Sequence, residues 1–117
     1  MVIGIVGSRR RDTAADLEAV RSALASIHTP GDTIVSGGCP KGGDRFAEVL
    51  ATAWDIPIKI YPAEWNKYGR GAGFYRNGFI ARDADVLIAC VAPDRRGGTE
   101  DTIAKYLALG KTRLILC

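Results

Sequence analysis

Three short stretches combine glycine with hydroxyl and cationic side chains: Gly7-Ser8-Arg9, the run Ser36-Gly37-Gly38-Cys39-Pro40-Lys41-Gly42-Gly43-Asp44, and Arg95-Arg96-Gly97-Gly98-Thr99. Each lies where an apolar run gives way to a helical pattern, and that placement suits a phosphate. A helix N-terminus presents unpaired N–H groups and a partial positive charge. Glycine lets the backbone approach a ligand with no Cβ in the way. Ser8, Ser36 and Thr99 add hydroxyl donors, and Arg9, Lys41 and Arg96 add charge. None of the loops matches GxGxxG or GxxxxGK[ST], which sets aside a standard dinucleotide dehydrogenase and a P-loop NTPase. Any one glycine loop of this kind can serve simply to make a turn. Three of them at corresponding junctions point to a ligand.

The elements that must position these loops follow from periodicity. Val2 to Val6 is a short β-branched run that reads as a buried strand. Asp12 or Thr13 then caps a helix whose apolar stripe is Leu17, Val20, Leu24 and Ile27, stopped at Pro30-Gly31. Thr33 to Val35 is a second strand, followed by a helix with Phe46, Val49, Leu50 and Ala53 on one face. Ile56 to Tyr61 reads as a third strand and Ala63 to Gly73 as irregular, with a helix from about Phe74 to Asp83. Asp85 to Val91 is the most apolar strand. A helix from Thr99, carrying Ile103, Leu107 and Leu109, ends at Gly110, and Arg113 to Cys117 closes the chain as a strand. Strands alternating with helices predict an α/β, Rossmann-like, doubly wound parallel sheet of about five strands with helices on both faces, in one domain over residues 1–117. Ligands bind such sheets beyond the carboxyl ends of the strands, which is where the three loops fall.

Composition narrows the function classes. With 16 Lys and Arg against 13 Asp and Glu the net charge is +3, enough for an anionic ligand but short of a nucleic-acid footprint. Hydrophobic residues make up 47% of the 117, so a core can form. Cys39, Cys90 and Cys117 are odd in number and lack CxxC spacing, and there is one histidine. The sequence therefore calls for no disulfide framework, no zinc site and no resident cofactor, and fits a reducing cytoplasm. No segment has the length of a membrane span, and no leader pattern precedes the first strand.

Taken together, these loops, with Tyr61-Pro62-Ala63-Glu64-Trp65 and Arg76-Asn77, resemble the SLOG superfamily, which contains the Lonely Guy cytokinin-activating enzymes and the DprA Rossmann domain. The nearest resemblance is to its small YspA-like, cpYpsA-related branch of bacteria and phages. The resemblance implies a nucleotide or nucleotide-derived ligand held by Gly7, Ser8, Arg9, Ser36, Gly37, Gly38, Lys41, Gly43, Asp44, Gly97, Gly98 and Thr99, and a homo-oligomer. Lonely Guy enzymes hydrolyse the N-glycosidic bond of a nucleoside 5′-monophosphate, using an Arg-Lys pair and a PGGxGTxxE loop. Here Arg76-Asn77 stands at the pair, and the loop is shortened to Gly97-Gly98-Thr99. Thr102 occupies the place of the family's catalytic glutamate, with Glu100 and Asp101 one or two places away. Arg76, Glu100 and Asp101 are thus the candidate catalytic residues, a carboxylate being needed to stabilise an oxocarbenium-like state. Acidic residues also favour the first turn of a helix for its dipole alone.

Three functions compete: a nucleotide N-glycosidase, a non-catalytic nucleotide or ADP-ribose-like binding module, and single-stranded DNA binding, which the modest charge disfavours. Trp65 and Tyr68, interleaved with Lys67 and Arg70, either stack on a base or pack the loop against the sheet or a second subunit, packing being the reading preferred for Trp65 and Tyr68 being open. Asp44 is read first as a helix cap and second as a ribose ligand.

Overall fold

The computed structural model describes residues 1–117. The strands are β1 (Val2–Gly7), β2 (Thr33–Ser36), β3 (Ile58–Ile60), β4 (Val86–Cys90) and β5 (Leu114–Leu116). All pair in parallel in the order β3-β2-β1-β4-β5, so the strand order reverses between β1 and β4. Helices α1 (Ala14–Ile27), α2 (Gly43–Ala53), α4 (Ala72–Asp83) and α5 (Gly98–Ala108) are joined by a short α3 (Trp65–Tyr68) and a 3₁₀ turn at Gly69–Gly71. This is the expected α/β, Rossmann-like arrangement.

Side chains alternate across the sheet, and the two faces carry separate cores. Ile3, Ile5, Ile34, Val86, Ile88 and Cys90 meet Val20 and Leu24 of α1 and Phe46 and Leu50 of α2. Val6, Val35, Leu87 and Ala89 meet Ile80 and Ala81 of α4 and Ile103 and Tyr106 of α5. Helices on both faces bury the central strands twice over, which is why β4 is apolar at every position. Thr13 caps α1 through a reciprocal capping box with Asp16. No helix is long and apolar enough to cross a membrane.

Two helix faces differ from the sequence reading. In α2 the buried partners of Phe46 and Leu50 are Ala47 and Ala51, while Val49 is 40% exposed and Ala53 is exposed. The buried face of α2 thus runs along Phe46, Ala47, Leu50 and Ala51. In α5 the buried residue beyond Ile103 is Tyr106, and Leu107 and Leu109 are exposed. The Tyr106 hydroxyl reaches the Asp85 and Arg113 carbonyls at 2.8 and 3.1 Å, clasping the starts of β4 and β5. β3 is shorter than expected, because Pro57 has no N–H for the ladder, although its carbonyl accepts from Ile34 N–H at 2.9 Å.

Phe46 is fully buried, so Phe46→Ala leaves a cavity on the α1–α2 face. It is expected to destabilise the fold by about 3–5 kcal/mol in urea unfolding, whereas Val49→Ala should cost less than about 1 kcal/mol.

Candidate functional site

The loops after β1, β2 and β4 open onto one cleft of about 440 Å³ at the carboxyl edge, beside the point where the strand order reverses. Its formation depends on a close backbone approach. A Cβ on Gly7 would stand 2.9 Å from Gly43 N and Cα, and a Cβ on Gly43 would collide with the Val6–Gly7 peptide. The N-terminus of α2 therefore abuts the end of β1. Asp12 fastens this junction, its Oδ1 accepting from Gly42 N–H and from Arg45 Nε, each at 2.8 Å. The Gly42 amide and then the Arg45 guanidinium hold the Asp12 carboxyl below its ordinary value of 3.8.

The loop after β2 folds around Asp44. The Ser36 hydroxyl lies 2.9 Å from Asp44 Oδ1 and 2.5 Å from the Ile5 carbonyl oxygen, and Cys39 N–H donates to Asp44 Oδ2 at 3.0 Å. Asp44 makes no helix cap. It braces the loop and also lines the cleft. Opposite it, Arg76 of α4 donates through Nη1 to the carbonyls of Gly37 and Tyr61, and its Nε donates to Asn77 Oδ1 at 3.1 Å. Asn77, 7% exposed, donates in turn to the Gly98 carbonyl at 3.2 Å and to Asp101 at 3.1 Å. Arg76 and Asn77 thus tie the second and third loops together through α4.

The third loop turns at Gly97, whose φ of +118° excludes most side chains, and α5 starts without any side-chain cap. Gly97, Gly98 and Thr99 line the cleft, so this uncapped N-terminus lies at it. In the first loop Ser8 Oγ accepts from Arg10 N–H at 3.1 Å and donates to no acceptor in the chain. Arg10 forms a two-pronged pair with Asp94 at 2.6 and 2.9 Å and also reaches the Arg96 carbonyl, which joins the first loop to the third. The cleft is lined by the arginines at 9, 10, 70, 76 and 96 against one carboxylate, Asp44. It is therefore far more cationic than the chain's overall charge implies.

Of the sequence candidates, Gly7, Ser8, Arg9, Asp44, Arg76, Gly97, Gly98 and Thr99 line the cleft. Others lie elsewhere. Ser36 is fully buried, Gly37 sits beneath Arg76, Gly43 is packed on Gly7, and Gly38 and Lys41 are exposed outside the lining. Glu100 pairs with Arg95 at 2.9 Å, and Asp101 accepts from Lys105 at 2.6 Å as well as from Asn77, so neither carboxylate lines the cleft. Phe74, which carried no sequence signal, lines it too, as do Arg70, named beside Trp65 and Tyr68, and Thr102, which stands at the glutamate position of the resemblance. Trp65, read as a packing residue, is 56% exposed and lines the cleft, and Tyr68 is the one that packs. No three His, Cys, Asp or Glu side chains come together in a metal-binding group.

Two outcomes follow. Asp44→Ala strips Cys39 N–H of its acceptor and is expected to destabilise the fold by about 1–3 kcal/mol in thermal or urea unfolding. Asp12 contributes stability above its ordinary titration range that is lost as pH falls through its lowered folded value. Wild type should thus lose stability relative to Asp12→Asn between about pH 5 and 2, as measured by urea unfolding at each pH.

No protein-family model matches the chain, and none of the curated proteins does. Among solved structures, the molybdenum cofactor binding protein from the phototrophic bacterium Rippkaea orientalis is similar, with a TM-score of 0.74 and 23% identity, covering 98% of this chain and 74% of that one. A likeness of this degree shows that the two chains share the α/β fold.

Proposed function

We propose that the cleft binds a phosphate-bearing small molecule, a nucleotide or a nucleotide-derived compound. The observation that carries this reading is the convergence of the uncapped α5 N-terminus with the arginines at 9, 10, 70, 76 and 96 around a cleft holding one carboxylate. Backbone N–H groups and guanidinium forks are the donors that phosphate oxygens take best. The resemblance of the loops to the SLOG superfamily, and within it to the YspA-like branch, supports a nucleotide as the carrier of that phosphate.

Binding without hydrolysis is the form of the reading that the side chains favour. N-glycosidic cleavage needs a carboxylate at the reacting sugar; Glu100 and Asp101 are occupied by cationic partners away from the cleft, and Asp44, the carboxylate within it, is engaged by the Ser36 hydroxyl and Cys39 N–H. Self-association belongs to the same proposal, since the exposed Leu107, Leu109 and Leu116 leave apolar surface that a second copy would cover.

Calorimetric titration with AMP, ADP, ADP-ribose and pyrophosphate should give saturable binding and a raised Tm. Arg9→Ala and Arg96→Ala should each weaken it by about tenfold or more. No binding of any of these compounds would overturn the proposal. Release of free base from nucleoside monophosphates, abolished in Asp101→Asn, would restore the hydrolytic reading. The molybdenum cofactor, which the protein of similar fold binds, belongs in the same titration, and binding of it alone would move the assignment there. Bound nucleotide should also protect Cys39, which lines the cleft, from thiol reagents. Cys90, whose thiol burial pushes up to about 11, should stay unreactive throughout.

A further inference from the structure

The cleft is cationic on its loops and aromatic on one rim. Trp65 opens α3 and Phe74 lies in the first turn of α4; both line the cleft and are 56% and 53% exposed. The neighbouring rings are engaged with one another. Tyr68 stacks on Tyr75 at 4.0 Å, Tyr75 meets Phe79 edge-on at 5.4 Å, and Phe79 stacks on Tyr61 at 5.3 Å. Phe74 has Lys105 Nζ 5.7 Å from its ring centre. Trp65 alone in this segment has neither an aromatic partner nor a cation over its ring.

Gly73 separates this indole from the phosphate-binding side. Trp65 Cη2 lies 3.8 Å, and Arg76 Nη2 3.9 Å, from the point where a Cβ on Gly73 would stand. Arg76 spends Nη1 and Nε within the chain, and Nη2 makes no hydrogen bond there. An exposed indole edge and a free guanidinium nitrogen thus flank one gap, kept open by the missing side chain. A phosphate fills only part of a cleft of about 440 Å³, a size that suits a whole small ligand. The remainder is bounded by the exposed Trp65 and Phe74 rings, side chains of the kind that stack on the π-face every nucleobase presents.

We infer that Trp65, with Phe74 beside it, stacks on the base of the bound nucleotide, so that the site selects phosphate compounds carrying a planar base over sugar phosphates and free polyphosphate. This rests on the phosphate-binding reading of the cleft. Stacking needs no hydrogen-bond code, so the selection is for a base as such and not among bases.

The test is calorimetric titration of the full chain with AMP, ribose 5-phosphate and pyrophosphate. Wild type should prefer AMP to ribose 5-phosphate by about 5- to 150-fold, and Trp65→Ala should erase that preference while leaving the affinity for ribose 5-phosphate unchanged. Trp65→Phe should restore most of it. AMP, and not ribose 5-phosphate, should quench the part of the tryptophan emission that Trp65→Phe removes. Gly73→Leu, at a position with ordinary helical geometry, should fill the gap and weaken AMP more than pyrophosphate. Equal binding of AMP and ribose 5-phosphate by wild type overturns the inference and leaves the phosphate reading standing. So does a Trp65→Ala variant that binds AMP normally but has lost a self-associated state, which would assign the indole to a second copy of the chain. Failure of all three compounds to bind overturns both.

Discussion

The contact between Gly7 and Gly43 is the constraint on which the site depends. The end of β1 and the first turn of α2 approach until a Cβ on either residue would strike the other's backbone. That approach brings the loops after β1 and β2 side by side at the reversal of strand order, and Asp12 holds them there through Gly42 and Arg45. It also governs the core beneath. α2 buries Phe46, Ala47, Leu50 and Ala51 in the core against the sheet, two of the four positions being alanine. The second of the two glycine loops is therefore first a packing device, and the packing leaves Cys39 and Asp44 in the cleft lining.

Electrostatics at the carboxyl edge are divided between construction and binding. Carboxylates do most of the building. Asp12 fastens two loops, Asp94 fixes Arg10, Asp44 braces the turn after β2, and Asp101 anchors Asn77. Each consumes hydrogen bonds from the chain itself, and three of the four are absent from the cleft lining. What reaches the lining is mostly guanidinium and backbone N–H, so a chain of modest net charge presents a strongly cationic cleft. The same division separates binding from catalysis. In the proposed reading a cleft built this way stabilises a bound anion, and it lacks a free carboxylate in the turn where the glycosidase-like pattern would set one.

α4 links these parts mechanically. Its first turns carry Gly73, Phe74, Arg76 and Asn77, which touch the aromatic rim, the β2 loop and the α5 loop in succession. A ligand spanning loops and rim would contact elements already connected through Arg76 and Asn77.

The order of strands and helices, the parallel sheet and the placement of three loops at one edge were legible in the sequence. Each follows from local periodicity, from turn residues and from the handedness of strand–helix–strand crossovers. Val2–Gly7, Val86–Cys90 and the stripe of α1 are examples, found within a residue or two of their expected bounds. Which side chains enter the cleft was not legible. Ser36 and Ser8 both follow strands beside glycine, yet one hydroxyl is buried against Ile5 and Asp44 and the other faces the cleft. Glu100 and Asp101 occupy the expected turn of α5 and point to Arg95 and Lys105. Trp65 looks like a packing residue until the turn at Gly69–Gly71 sets α3 against α4 with its indole outward. Periodicity determines that an element exists and which stripe it buries. The direction of a loop side chain depends on partners many residues away, and only the assembled sheet brings those partners within reach.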